Sequence, residues 1–253
     1  MGTLAENKTY YANYDWRYTG EQWASRWRGT DVQWYGTILP RIHLFLPAAT
    51  ILEIGCGHGR LSRFLEPYCR RLILVDITER CVNGCTKLFK DNAKVNCVLG
   101  DGTSLGDAGD AEVDFIFSFF SLVHADTATM RCYLFEIAKK MSGDGVAFIH
   151  HSNAGACLSG NPREDALLHD YRDAGVSADA IEACAEEVGL TCRGQELFGW
   201  DTDQLLTDCF SVLVKPGSRW SKPNAVVCNW GFLSEVESLG QLSQIYGANG
   251  YAR

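Results

Sequence analysis

The chain has 253 residues, enough for one large domain with a lid or a tail. Its 46% hydrophobic and 21% charged residues are ordinary globular composition, and a net charge of −8 argues against nucleic acid and anionic membranes as partners, because both need a basic face. The opening MGTLAENKTYY has no basic stretch followed by an apolar one, and no run approaches the roughly 20 apolar residues of a membrane span, so a cytoplasmic setting is expected.

Residues 1–47 are rich in aromatic side chains, among them Trp16, Trp23, Trp27 and Trp34. From Gly20 to Leu46 the pattern predicts helix, broken near Gly29 and Pro40. Order sets in with ATILEIGC, a short apolar run ending in glycines, read as a buried strand and a turn. Helix RLSRFLEPYC, strand RLILVDI, helix ERCVNGCTKLFKDN and strand VNCVLGD follow. Next come the long apolar strand VDFIFSFFSLVH, the helix ATMRCYLFEIAKKMSGDG ending at glycine, and the strand VAFIHHSN. Strands alternating with helices at short intervals predict an α/β domain, a mostly parallel sheet with helices on both faces and its ligand beyond the carboxyl ends of the strands.

After residue 160 the pattern gives helices DALLHDYRDAG and SADAIEACAEEVGL, then strands within LTCRGQELFGW and LTDCFSVLVKP. The expected organisation is an N-terminal helical lid over 1–47, a main domain over 48–216 and an extension over 217–253. The extension carries Trp220, Trp230, Phe232 and Tyr246, too apolar to be free in solution, so it is expected to pack on the domain or across a homodimer. The eleven cysteines hold no C-x-x-C pair and read as small buried hydrophobes in a reducing compartment.

The sharpest motif is Glu53-Ile54-Gly55-Cys56-Gly57-His58-Gly59, three alternate glycines between a strand and a helix. Glycine suits a tight turn that a ligand must approach at the main chain, and the helix start offers free N–H groups to an anion. Asp76 ends the second strand, where an acid can accept both hydroxyls of a ribose. Asp101 and Gly102 follow the third strand, and Ser118 ends the fourth. The dinucleotide fingerprint G-x-G-x-x-G does not fit, because Arg60 or Ser62 stands where its third glycine is needed.

In this order of motifs the chain resembles the class I S-adenosylmethionine-dependent methyltransferases, over about residues 50–155, with the last two strands matching the family's seven-stranded Rossmann-like sheet. The resemblance implies S-adenosylmethionine as cofactor, held by Glu53, Gly55, Gly57, Gly59, Asp76, Asp101, Gly102 and Ser118. It also implies an aromatic lid from the N-terminal segment, because aromatic faces favour a cation and exclude water; Gln33 and Trp34 are the expected contacts.

Methyl transfer to a hydroxyl needs a base near the carboxyl ends of strands four and five. His124, His151 and His150 stand there, with His151 ranked above His150 because neighbours on a strand face opposite sides. Asp126, Asn153 and Asp170 are the oxygen donors that would hold a magnesium ion beside an acceptor diol. The tryptophan-rich opening with SLVHAD and FIHHSN is similar to bacterial sugar and glycan O-methyltransferases, which implies a sugar or oligosaccharide hydroxyl as acceptor, although Phe120 stands where that group carries an acid. The alternatives are an N- or C-methyltransferase on another small metabolite and a non-catalytic cofactor-binding partner subunit.

Overall fold

A computed structural model describes residues 3–106, 108–158 and 172–246. Its centre is a single sheet of eight strands: β1 (Ala48–Ile54), β2 (Cys69–Asp76), β3 (Val95–Leu99), β4 (Val113–Ser118), β5 (Met141–Ser152), β6 (Thr191–Phe198), β7 (Asp208–Val214) and β8 (Val226–Asn229). They lie in the order β3-β2-β1-β4-β5-β7-β6-β8. β7 runs antiparallel to β5 and to β6, and every other pairing is parallel. The helices used below are α1 (Leu4–Asn13), α2 (Thr30–Gln33), α3 (Leu39–Ile42), α4 (Ser62–Leu65), α5 (Glu79–Leu88), α6 (Thr127–Lys140), α7 (Ala178–Glu187) and α8 (Phe232–Tyr246).

The central strands are apolar on both faces, as a sheet covered on both sides must be. Alternation sorts them into two cores. Leu52, Ile73, Ile116, Ala147 and Ile149 join Met130, Leu134 and Ile137 of α6 and Ile181 of α7 on one face. Ile51, Leu72, Leu74, Phe115, Phe117 and Phe148 join Trp27, Trp34, Ile38, Ile42 and Phe232 on the other. The first face is largely aliphatic and the second is rich in aromatic rings.

Four expectations need correction. The sheet has eight strands rather than seven, because Val226–Asn229 of the extension add an edge parallel to β6. The helix expected to end at Gly145 stops at Lys140, since Met141 is already extended and pairs with Val113. Residues 4–13, ahead of the stretch from Gly20 to Leu46 where the pattern predicts helix, form α1, opened by a capping box in which Thr3 and Glu6 satisfy each other's backbone. Pro40 does not break the N-terminal helix: a π turn over Trp34–Ile38 precedes it, and α3 continues past the proline that lacks an N–H to donate.

The two end segments pack against each other. Trp27 meets Phe232 edge-on at 6.4 Å between ring centres. Arg41 joins Glu196 of β6 at 2.7 Å and Glu235 of α8 at 3.2 Å, with its guanidinium over the Phe232 ring. Gly240 lies so close to the chain that a β-carbon there would stand 2.6 Å from the Arg26 carbonyl.

Candidate cofactor site

Two adjoining cavities open at the carboxyl ends of β1, β2 and β4. The larger, of about 710 Å³, is lined by Leu4, Asn7 and Tyr11 of α1, by Gly55, Gly57 and Asp76, and by Ser121, Leu122, His124 and Tyr133. The smaller, of about 340 Å³, is lined by Glu53, His58, Arg60 and Phe119 among others. Trp23, Gly55, Gly57 and Phe120 line both, so the cavities share one wall.

Gly55 and Gly57 both take positive φ, 74° and 55°, which a side chain would strain. A β-carbon on Gly55 would collide with Ser121, and one on Gly57 would stand 3.2 Å from the Trp16 ring. The Gly57 N–H donates to Asp76 Oδ2 at 3.0 Å, while Thr78 N–H and hydroxyl donate to Oδ1. Burial raises the Asp76 carboxyl above its usual range against those hydrogen bonds. Gly59 lines neither cavity; its missing side chain lets the loop press on Leu88.

Glu53 and Arg60 give the smaller cavity a carboxyl and a guanidinium. Burial pushes the Glu53 carboxyl up to about 8, although Ser62 Oγ donates to it at 2.5 Å. Burial also lowers the Arg60 guanidinium to about 10. Its hydrogen-bond partners are the neutral Thr30 Oγ1 at 3.2 Å and Gln33 Oε1 at 2.5 Å, and among the described residues no carboxylate lies within ion-pair distance. Trp16 stacks on His58 at 4.6 Å and meets Trp23 edge-on at 5.3 Å, roofing the glycine loop.

The family profile of the methyltransferase domain matches residues 51–145. The nodulation protein S of Sinorhizobium fredii is 31% identical over 55 residues, which are 22% of this chain and 26% of that protein. The ribosomal RNA small subunit methyltransferase A of Geobacter metallireducens is 40% identical over 55 residues, 22% of this chain and 20% of that protein. The chain thus spans about a quarter or a fifth of the length of the curated relatives it matches. The crystal structure of the N-methyltransferase NodS from Bradyrhizobium japonicum in complex with S-adenosyl-L-homocysteine aligns over 85% of this chain and all of that one, at 19% identity and a TM-score of 0.58. That likeness is one of fold. Residues 51–145 thus match a methyltransferase domain, on a fold shared with S-adenosylmethionine-dependent methyltransferases.

Several expected site residues lie away from the two cavities. Trp34 is fully buried and stacked on Phe64, and Gln33 is fully buried beneath Arg60, so neither lines the cavities. Ser118 ties β4 to β1 by donating to the Ile54 carbonyl at 3.2 Å. Asp101 is exposed; Oδ1 accepts from both N–H groups and both hydroxyls of Thr103 and Ser104, which hold its carboxyl down at about 2. Gly102 lies under Leu4.

Of the three candidate bases, His124 lines the larger cavity. His150 and His151 are fully buried and line neither. His151 is held between the Ser152 carbonyl and Ser211 Oγ, both at 2.8 Å, and burial lowers it to about 4. His150 bridges Phe120 and Asp208. Both readings failed because the strand still pairs with β7 through residues 150–152 and is covered on either side.

Two of the three expected magnesium donors are engaged elsewhere. Asp126 caps α6 by accepting from Thr129 N–H at 2.8 Å. Asn153 spends its amide on the Leu206 carbonyl and the Ala178 N–H. Asp170 lies outside the described residues, as does His169. Among the described residues no group of three acidic, histidine or cysteine side chains is placed to hold a metal, and no helix is long and apolar enough to cross a membrane.

Sequence reasoning missed Asn7 and Tyr11, whose helix was announced only by the Thr3/Glu6 capping box. It also missed Arg60, noticed only as the residue that spoils a dinucleotide fingerprint.

Proposed function

We propose that the protein transfers the methyl group of S-adenosylmethionine to a small polar acceptor. The observation that carries this reading is Glu53 and Arg60 facing one small cavity, joined to a larger one with Asp76 on its floor. A buried carboxyl and a buried guanidinium without an ion-pair partner fit a zwitterion. The α-ammonium group of a methionine moiety would favour the ionised form of Glu53, whose proton would leave to solvent, and its carboxylate would offset the lone charge of Arg60. Asp76 would accept from ribose hydroxyls, as the resemblance implies. A nicotinamide dinucleotide would place a phosphate there instead, for which Glu53 is ill suited.

Bound S-adenosylmethionine supplies a methyl group on a sulfonium, already an excellent leaving group. This chain's residues must then orient the acceptor and exclude water. Trp16, Trp23 and Phe120 wall the cavities with aromatic faces, which suit a cation and keep water out. For a hydroxyl acceptor, His124 is the group on the cavity wall that would take the proton. We therefore favour O-methylation of a sugar or similar hydroxyl. The aromatic walls support a second reading, N-methylation of an amine, and the fold relative NodS is an N-methyltransferase.

Calorimetry with S-adenosylhomocysteine and a labelled methyl-transfer screen over sugars, amines and phenols test these readings. Binding of the product and transfer to a hydroxyl acceptor are expected. Absence of binding overturns the cofactor reading; transfer only to amines replaces the first acceptor reading by the second; binding without transfer points to a non-catalytic subunit.

A further inference from the structure

Helix α1 lies across the larger cavity. A β-carbon on Gly102 would stand 2.2 Å from Leu4 Cδ1, so the start of the helix presses on the loop after β3. One turn on, Asn7 is only 7% exposed and lines the cavity. Its Nδ2 donates to the His124 carbonyl at 2.6 Å. A carbonyl only accepts, so this bond fixes which way the amide is turned. The opposite atom, Oδ1, is buried and has no hydrogen-bond partner among the described residues.

We propose that Asn7 is the residue that reads the exocyclic amine of the adenine base. The inference rests on the reading of the cavities as an S-adenosylmethionine site. Leu4, Ile77, Leu122 and Ala125 give the cavity apolar walls suited to a heteroaromatic ring. A buried acceptor without a donor is costly, and a ring held between those walls brings one. The 6-amino group of adenine donates; the 6-oxo group of hypoxanthine accepts and is repelled. The acid that the family resemblance assigns to this end, Asp101, is exposed, and its Oδ1 already takes four donors from Thr103 and Ser104. Adenine recognition has thus passed from the loop after β3 to a helix that precedes the domain.

The test is equilibrium binding of S-adenosylhomocysteine and of S-inosylhomocysteine, its 6-oxo analogue, to the full chain, to Asn7→Leu and to Asp101→Ala. The unaltered chain should prefer the adenosyl ligand by about tenfold or more, the effect of one buried hydrogen bond with its partner left unpaired. Asn7→Leu should bind the adenosyl ligand about tenfold more weakly and lose the preference, while Asp101→Ala keeps it. A preference that survives in Asn7→Leu, or vanishes in Asp101→Ala, overturns the assignment, as does an equal loss of both ligands in Asn7→Leu. If the unaltered chain binds neither ligand, the cofactor reading itself falls.

Discussion

His150 Nε2 lies 2.9 Å from Asp208 Oδ1, and neither side chain is exposed. On the other side of the ring, the Phe120 N–H donates to Nδ1 at 3.2 Å. A backbone donor needs a lone pair at Nδ1, so the proton sits on Nε2 and is given to Asp208. Arg172 reaches the same carboxylate at 2.9 Å. Although burial alone would raise the Asp208 carboxyl, Arg172 and His150 hold it below its usual range. The ring is committed at both nitrogens, and it fixes Phe120 at φ 57°, where that residue stacks on Trp200 at 4.6 Å.

His150→Ala should therefore act on stability and on the shape of the cavity wall. Removing one member of a buried charged network costs about 2–4 kcal/mol. Denaturant unfolding measures it, and an unchanged midpoint would show that Arg172 alone suffices for Asp208.

The pH dependence of stability has a sign that follows from burial. His151 is lowered from an ordinary value of 6.5 to about 4, so between these values the unfolded chain binds a proton that the folded chain refuses. Stability is full above about 6.5 and is lost as pH falls toward 4, at up to about 1.4 kcal/mol per pH unit for one group. His150, also lowered by burial, adds in the same direction. In His151→Phe the acid-side slope should become shallower; an unchanged slope would assign it to other groups.

Glu53 works in the opposite sense. Its carboxyl is raised from 4.5 to about 8, so the folded chain keeps a proton that the unfolded chain releases across that window. Stability present below 4.5 is lost as pH rises through 8. Glu53→Gln cannot titrate, and at pH 8 it should be more stable than the unaltered protein by about 1–3 kcal/mol. Its affinity for S-adenosylhomocysteine should fall by about tenfold, the loss of a charged partner for the amine. A gain in stability with full affinity would remove Glu53 from the binding site.

Truncation after Pro216 deletes β8 and α8 and uncovers Trp27, Phe198 and Arg41, which pack on Phe232 or pair with Glu235. The melting temperature should fall by roughly 5–10 °C. The segment carrying Trp23 would lose its support, so cofactor affinity should fall as well. A truncated chain with both values intact would make the extension dispensable.

The glycine loop and Asp76 were legible because their chemistry is local: a strand, a turn that needs glycine, and an acid at the next strand end. Strand alternation was equally legible, and it sorted Ile51 from Leu52 and Leu72 from Ile73 onto opposite cores. His150 and His151 were misread because alternation says only that neighbours face opposite sides. What fixes them, Asp208 and Ser211, comes from a strand about 60 positions later. Trp34 was misread for a related reason: helical spacing with Trp23 and Trp27 marks a stripe but not what covers it. Strand β8 is four residues long and carries no alternating pattern of its own.

The contact between the chain's two ends bears on its synthesis. Arg41 grips Glu235, 194 positions further on, and Arg26 and Trp27, in the turn that also carries Trp23, pack on that same late helix. As the chain leaves a ribosome, the aromatic segment emerges well before its brace. Until the two meet, Trp27 and its neighbours present apolar surface to solvent or to a chaperone. Closure of so long a loop makes this docking slower than the pairing of the neighbouring strand–helix units that build the rest of the sheet.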